Sequence, residues 1–186
     1  MRHFAGHADA RVVGVVSDRK AAGVLERARL AGVPARFVGR VRRQRPGGLL
    51  AVLRAFEADL VVLAGYLQLV PADVIAAYSE RVLNIHPALL PAYGGAGMYG
   101  RHVHEAVVAA RETHSGITVH LADDAYDRGR ILFQARTPID AAAGAREVAR
   151  RVLALEHQHY PLVIEAYVRR LRTPSLPLGV TDSTAP

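Results

Sequence analysis

Apolar positions along the chain form short runs closed by polar turns, and these runs alternate with segments at helical spacing. Val12 to Val16 is a β-branched run ending at Ser17-Asp18, the pattern of a buried strand and its turn. In Ala21 to Leu30, Val24, Leu25 and Ala28 recur at helical spacing, and Gly32 stands where a left-handed C-terminal residue is favoured. Val33-Pro34 restarts an extended segment. Ala35 to Val38 reads as a strand, Leu49 to Phe56 as a helix, and Asp59 to Ala64 as another strand, ending at Gly65. Pro71 to Tyr78 reads as a short helix with proline in its first turn, and Arg81 to Ile85 as the next strand.

Beyond this point the pattern predicts a Pro- and Gly-rich loop over Leu89 to Gly100 and a helix over Val103 to Ala110. Strands are expected over Gly116 to Leu121 and Arg130 to Ala135. Helical spacing then runs from Ala145 to about Leu171. Pro161 is expected to kink or split that helix, because its ring removes an amide donor. Thr173 to Pro186 mixes Pro, Ser, Thr and Gly and is expected to be a mobile tail after a single domain over residues 1–172. The whole order predicts an α/β protein with a Rossmann-like, doubly wound and mostly parallel sheet flanked by helices.

Composition narrows the classes. With 51% hydrophobic and 22% charged residues the 186-residue chain has ordinary globular usage, and no apolar run reaches the roughly 18 residues of a membrane span. It contains no cysteine, which excludes a disulfide framework and a cysteine nucleophile and points to the cytosol. The N-terminus has no secretory apolar segment. A net charge of +7 suits an anionic partner, yet the basic residues are almost all arginine, which biased codon usage also produces. The run Arg40, Arg42, Arg43 and Arg45 carries no interleaved aromatic residue, so it does not read as a nucleic-acid platform; a solvated face fits it.

Candidate chemistry begins at Asn84-Ile85-His86-Pro87. Alternation along a strand puts the Asn84 and His86 side chains on one side, at the carboxyl end where open α/β sheets bind ligands. The alternative is a pair that merely satisfies turn hydrogen bonds. Asp127 lies in the polar loop with Asp123 and Asp124; folded over His86 it would favour the imidazolium and raise its pKa, whereas unfolded from it the loop is a solvated acidic turn. His102 with His104, and His157 with His159, stand two apart on helices and do not face one another, so no metal site is expected. The glycine-rich stretch Gly94 to Gly100 follows a loop rather than a strand and is not a dinucleotide fingerprint; a flexible active-site loop is expected there.

Four stretches carry a resemblance: Arg81 to Pro91, Ser115 to His120, Tyr126-Asp127-Arg128-Gly129, and Leu155 to Pro161. In order and spacing they resemble the phosphoribosylglycinamide formyltransferases of purine synthesis, from about Val12 to Arg170. The resemblance implies 10-formyltetrahydrofolate as co-substrate, glycinamide ribonucleotide as the other substrate, and neither metal, nucleic acid nor membrane as partner. It implies Asn84 and His86 as oxyanion donors, with Asp127 holding the histidine. It further implies folate contacts from Tyr66, Leu67, Gln68, Leu69 and Val70 and from Asp123, Asp124, Ala125 and Tyr126, and ribose recognition by Glu156.

Three departures accompany it. The family's first strand and its Gly-Ser-Gly-x-Asn phosphate loop have no counterpart before Val12. Ala92 to Tyr99 is longer and more glycine-rich than usual, and Arg128 and Arg130 stand where a small residue and proline are common. Formyltetrahydrofolate deformylase and methionyl-tRNA formyltransferase share the Asn-x-His and Asp set. The length is expected to leave room for neither the regulatory domain of the one nor the barrel of the other. A non-catalytic folate-binding remnant is the remaining alternative.

Overall fold

The computed structural model describes residues 1–173, so that the expected tail lies, but for Thr173, outside the described residues. The chain divides into two compact units, Met1–Val61 with Val70–Arg81, and Val62–Leu69 with the chain from Val82 onward.

In the first unit a 3-10 turn at Arg2–Phe4 precedes β1 (Val15–Ser17), α1 (Gly23–Leu30) and β2 (Ala35–Phe37). β1 and β2 pair in parallel, Val15 opposite Ala35 and Ser17 opposite Phe37, with α1 as the crossover that parallel strands need. The strand starts at Val15 rather than Val12. Gly14 explains part of this: a Cβ there would lie 2.2 Å from the Phe56 ring, so the backbone passes too close to the aromatic for any side chain. α2 (Arg40–Gln44), α3 (Leu50–Ala55) and α4 (Ala72–Ala77) complete the unit, with Pro71 capping α4 instead of entering its first turn. The arginine run is not wholly solvated. Arg43 is buried, and its Nη1 lies 3.4 Å from Asp18 Oδ2, because the helical turn of α2 directs it inward.

The second unit holds a four-stranded sheet in the order β3 (Val61–Leu63), β4 (Val82–His86), β5 (His114–Leu121) and β6 (Ile131–Pro138). The mixed α/β class agrees with the sequence pattern, but β4–β5 and β5–β6 pair antiparallel. A short loop over 122–130 joins β5 to β6 without a crossover helix, which permits only the antiparallel sense. α5 (Arg101–Ala109) and α6 (Ala145–Arg172) flank the sheet, α6 packing on β5, β6 and α5. The core is built from Leu83, Ile117 and Val119 of the strands with Val103, Val107, Val148, Val152 and Val163 of the helices, all at most 1% exposed. Each such side chain contributes about 1.5–3 kcal/mol by leaving water.

Pro161 does not split α6, which runs unbroken through it. Buried Val152, His159 and Tyr160 before the proline and Val163 and Tyr167 after it hold both halves against the unit, so packing outweighs the backbone bond the ring removes.

Candidate active site

β4 delivers Asn84 and His86 to one face of the sheet, as strand alternation dictates. Opposite them in β5 stand His120, paired with Asn84, and Thr118, paired with His86. Directly opposed residues share a face, so four polar side chains gather on one face of the sheet. Asp127 reaches them from the β5–β6 loop. That loop is pinched at its neck, where Leu121 N–H donates to Arg130 O at 2.9 Å and where a Cβ on Gly129 would lie 1.8 Å from Leu121 O. Asp127 itself has φ 56°, a left-handed conformation that aspartate tolerates better than most side chains.

The Asp127 carboxylate lies between two imidazoles, Oδ2 3.4 Å from His86 Nδ1 and Oδ1 3.5 Å from His120 Nε2. Those are ion-pair separations; the hydrogen bond that orients the carboxylate comes from Gly95 N–H to Oδ2 at 3.0 Å. Burial works to raise the Asp127 pKa, but His120, the Gly95 amide and His86 outweigh it and hold the carboxyl below its ordinary range. On its other side His86 Nε2 meets Tyr93 O at 2.7 Å. Both ring nitrogens therefore face oxygens, the Asp127 carboxylate on one side and the Tyr93 carbonyl on the other.

Against the sequence expectation, the His86 pKa is lowered. Burial penalises the charged ring more than Asp127 and the Tyr93 carbonyl favour it, and His120 adds a smaller repulsion. The carboxylate is beside the ring, as expected, but the ring is 4% exposed and desolvation prevails.

Asn84 Nδ2 lies 3.0 Å from His120 Nε2. His120 Nδ1 lies 2.8 Å from Leu121 O, so the ring is held between the Asn84 amide and the Leu121 carbonyl. The amide's second N–H is left for another acceptor.

The remaining sequence candidates divide. Asp123 to Tyr126 precede Asp127 in its loop, with Asp123 Oδ1 accepting from Ala125 N–H at 3.0 Å and Asp124 and Tyr126 exposed. Tyr66, Leu67, Gln68 and Leu69 follow β3; the first two are half-buried and the last two exposed, while Val70 is buried and belongs to the first unit. Glu156, half-buried on α6, has its pKa raised by burial. One turn on, the Tyr160 hydroxyl donates to Leu63 O at 2.9 Å and also approaches Leu83 O at 3.3 Å, so α6 is tied to the ends of β3 and β4. On α5, His102 is exposed and His104 buried, pointing apart as their spacing requires.

His120, Thr118 and Tyr93 have no role in the sequence reading. The first two carry a signal: polar residues alternating with apolar Ile117, Val119 and Leu121 along one strand belong on a functional face. Tyr93 acts through its main-chain oxygen, which no side-chain pattern reveals.

A family model described as Formyl transferase matches residues 2–164, and the chain belongs to the formyl transferase family. Among its relatives, the chloroplastic phosphoribosylglycinamide formyltransferase of Arabidopsis thaliana is 42% identical over 87% of this chain and 57% of its own length. Phosphoribosylglycinamide formyltransferase of Bacillus subtilis is 34% identical over 84% of this chain and 80% of its own. The crystal structure of glycinamide ribonucleotide transformylase 1 from Symbiobacterium toebii superposes with a TM-score of 0.78 at 37% identity, covering 86% of this chain and 74% of that one. The chain spans little more than half the length of the chloroplastic relatives, 57% in Arabidopsis thaliana and 52% in Vigna unguiculata.

Proposed function

We propose that the chain transfers the formyl group of 10-formyltetrahydrofolate to the amine of glycinamide ribonucleotide, a step of purine synthesis. One observation carries the reading: Asn84 and His86 leave the same face of β4 with the Asp127 carboxylate 3.4 Å from the His86 ring. The amine nitrogen attacks the formyl carbon, whose oxygen takes up negative charge. The free N–H of Asn84 and a proton of His86 are donors to that oxygen, and preorganised donors of this kind contribute about 3–4 kcal/mol each in the transition state. The amine then loses its proton and the folate nitrogen gains one as its bond to the formyl carbon breaks. A buried histidine with a lowered pKa gives up its proton readily, and Asp127 keeps the ring oriented for that exchange.

Tyr66, Leu67, Gln68, Leu69 and Val70 and the loop from Asp123 to Tyr126 are the proposed folate contacts, and Glu156 the ribose contact. Neither metal nor nucleic acid enters the reaction, and a cysteine-free chain suits the reducing cytosol. The test is to supply both substrates and follow formylated amine and tetrahydrofolate together. Equal amounts of the two support transfer. Tetrahydrofolate formed without formylated amine would make the chain a hydrolase instead.

A further inference from the structure

His86, Thr118 and Gln134 stand directly opposite one another across β4, β5 and β6. Thr118 is fully buried, and its hydroxyl is engaged three times. It donates to Ala88 O at 2.7 Å and accepts from Leu90 N–H at 3.0 Å and from Gln134 Nε2 at 2.9 Å. Gln134 Nε2 also donates to Leu90 O at 2.9 Å. The turn over 88–90 is thus fastened at three main-chain groups, and the carboxamide of Gln134 supplies one of them and braces the hydroxyl that supplies the others.

That turn begins two residues after His86 and leads, three residues after Leu90, to the Tyr93 carbonyl on His86 Nε2. Two residues further on, the Gly95 amide meets Asp127. The position of the turn therefore sets what both ring nitrogens of His86 face. We propose that Gln134 is a positioning residue for His86: its amide holds the 88–90 turn in place and with it the Tyr93 carbonyl against the imidazole. Without the amide, buried Leu90 O has lost a donor, and the turn must move to find another. The inference rests on the reading of His86 as the donor in formyl transfer.

Asp127 from the β5–β6 loop, His120 from β5 and His104 from α5 are the titratable groups that face His86. Substitution of Gln134 leaves all three in the chain, so a change at His86 reports the turn. Gln134→Leu removes the amide, and the near-isosteric, uncharged Gln134→Met, which likewise adds no titratable group, carries the test should the leucine variant unfold.

Two readouts apply to the full chain. In steady-state formyl transfer, kcat is expected to fall about tenfold or more in both variants while KM for the amine changes little, as for lost orientation of a reacting group. In an NMR titration of the histidine rings, the His86 midpoint is expected to move to lower pH, since withdrawal of the Tyr93 carbonyl removes a contact that favours the charged ring. An unchanged His86 midpoint, or a kcat that falls only with the folded fraction, would overturn the proposal. If wild-type chain transfers no formyl group, the functional reading fails, and the His86 midpoint alone decides the role of Gln134.

Discussion

His86 Nε2 rests 2.7 Å from the carbonyl oxygen of Tyr93, on the side of the ring away from Asp127. Tyr93 adopts φ 57°, a conformation that a bulky side chain takes up only when its surroundings impose it. At the far end of the residue its hydroxyl donates to Glu112 Oε1 at 2.7 Å. One tyrosine thus joins the turn after α5 to the imidazole at the end of β4.

His86→Ala and Asp127→Asn are each expected to lower single-turnover formyl transfer by orders of magnitude while folate affinity stays near that of wild type. Asn84→Ala should cost about 100-fold, the effect of losing one oxyanion donor. Asn84 and His86 act on charge that exists only in the transition state, and Asp127 acts through the His86 ring. Transfer at the wild-type rate in either His86→Ala or Asp127→Asn would remove the assigned mechanism.

Acid should destabilise the fold through His104. This ring is buried on α5, its Nδ1 has no hydrogen-bond partner among the described residues, and burial followed by repulsion from His86 lowers its pKa. In the unfolded chain it titrates near the ordinary 6.5. Between the two values the unfolded state binds the extra proton, so stability is complete above the unfolded pKa and falls as pH drops through that window. Urea midpoints measured from about pH 7.5 to about pH 5 should decline, and His104→Gln should make the decline shallower, the rest coming from His86 and His159, whose pKa values burial also lowers. An equally steep fall in the variant would assign the effect to other groups.

Tyr160→Phe should destabilise the second unit by about 1–3 kcal/mol, because Leu63 O and Leu83 O lose their buried donor. Denaturant unfolding gives the number. A loss below about 0.5 kcal/mol would mean that water replaces the hydroxyl at the strand ends.

Glu156→Ala should weaken glycinamide ribonucleotide far more than the folate, since the carboxylate is proposed to take only the ribose hydroxyls. Equilibrium titrations with each ligand separate the cases. Equal losses for both would make Glu156 a structural residue of α6.

The periodic elements were legible in the sequence because their causes are local. Gly32 is left-handed with φ 68°, β4 presents Asn84 and His86 on one face, and α5 and α6 follow their apolar spacing. What escaped depends on partners distant in the chain. The inward turn of Arg43 follows from Asp18, the persistence of α6 through Pro161 from packing on both halves, and the lowered pKa of His86 from burial that spacing does not measure. The pairing of Asn84 with His120 needs the antiparallel register of β4 and β5, which an alternating pattern leaves open.

β5 is buried far more deeply than β1 and β2. β1 and β2 are three residues long and none of their residues is fully buried, whereas every residue of β5 from Ser115 to Leu121 is. Amide hydrogens report this difference directly, because exchange with solvent deuterium requires each hydrogen bond to open. Those of β1 and β2 should exchange early, through local fraying that leaves the rest of the molecule intact. Those at the centre of β5 should exchange only when the second unit unfolds as a whole. The strand that carries Thr118 and His120 is therefore the slowest clock in the protein, and the groups around His86 keep their places for as long as it holds.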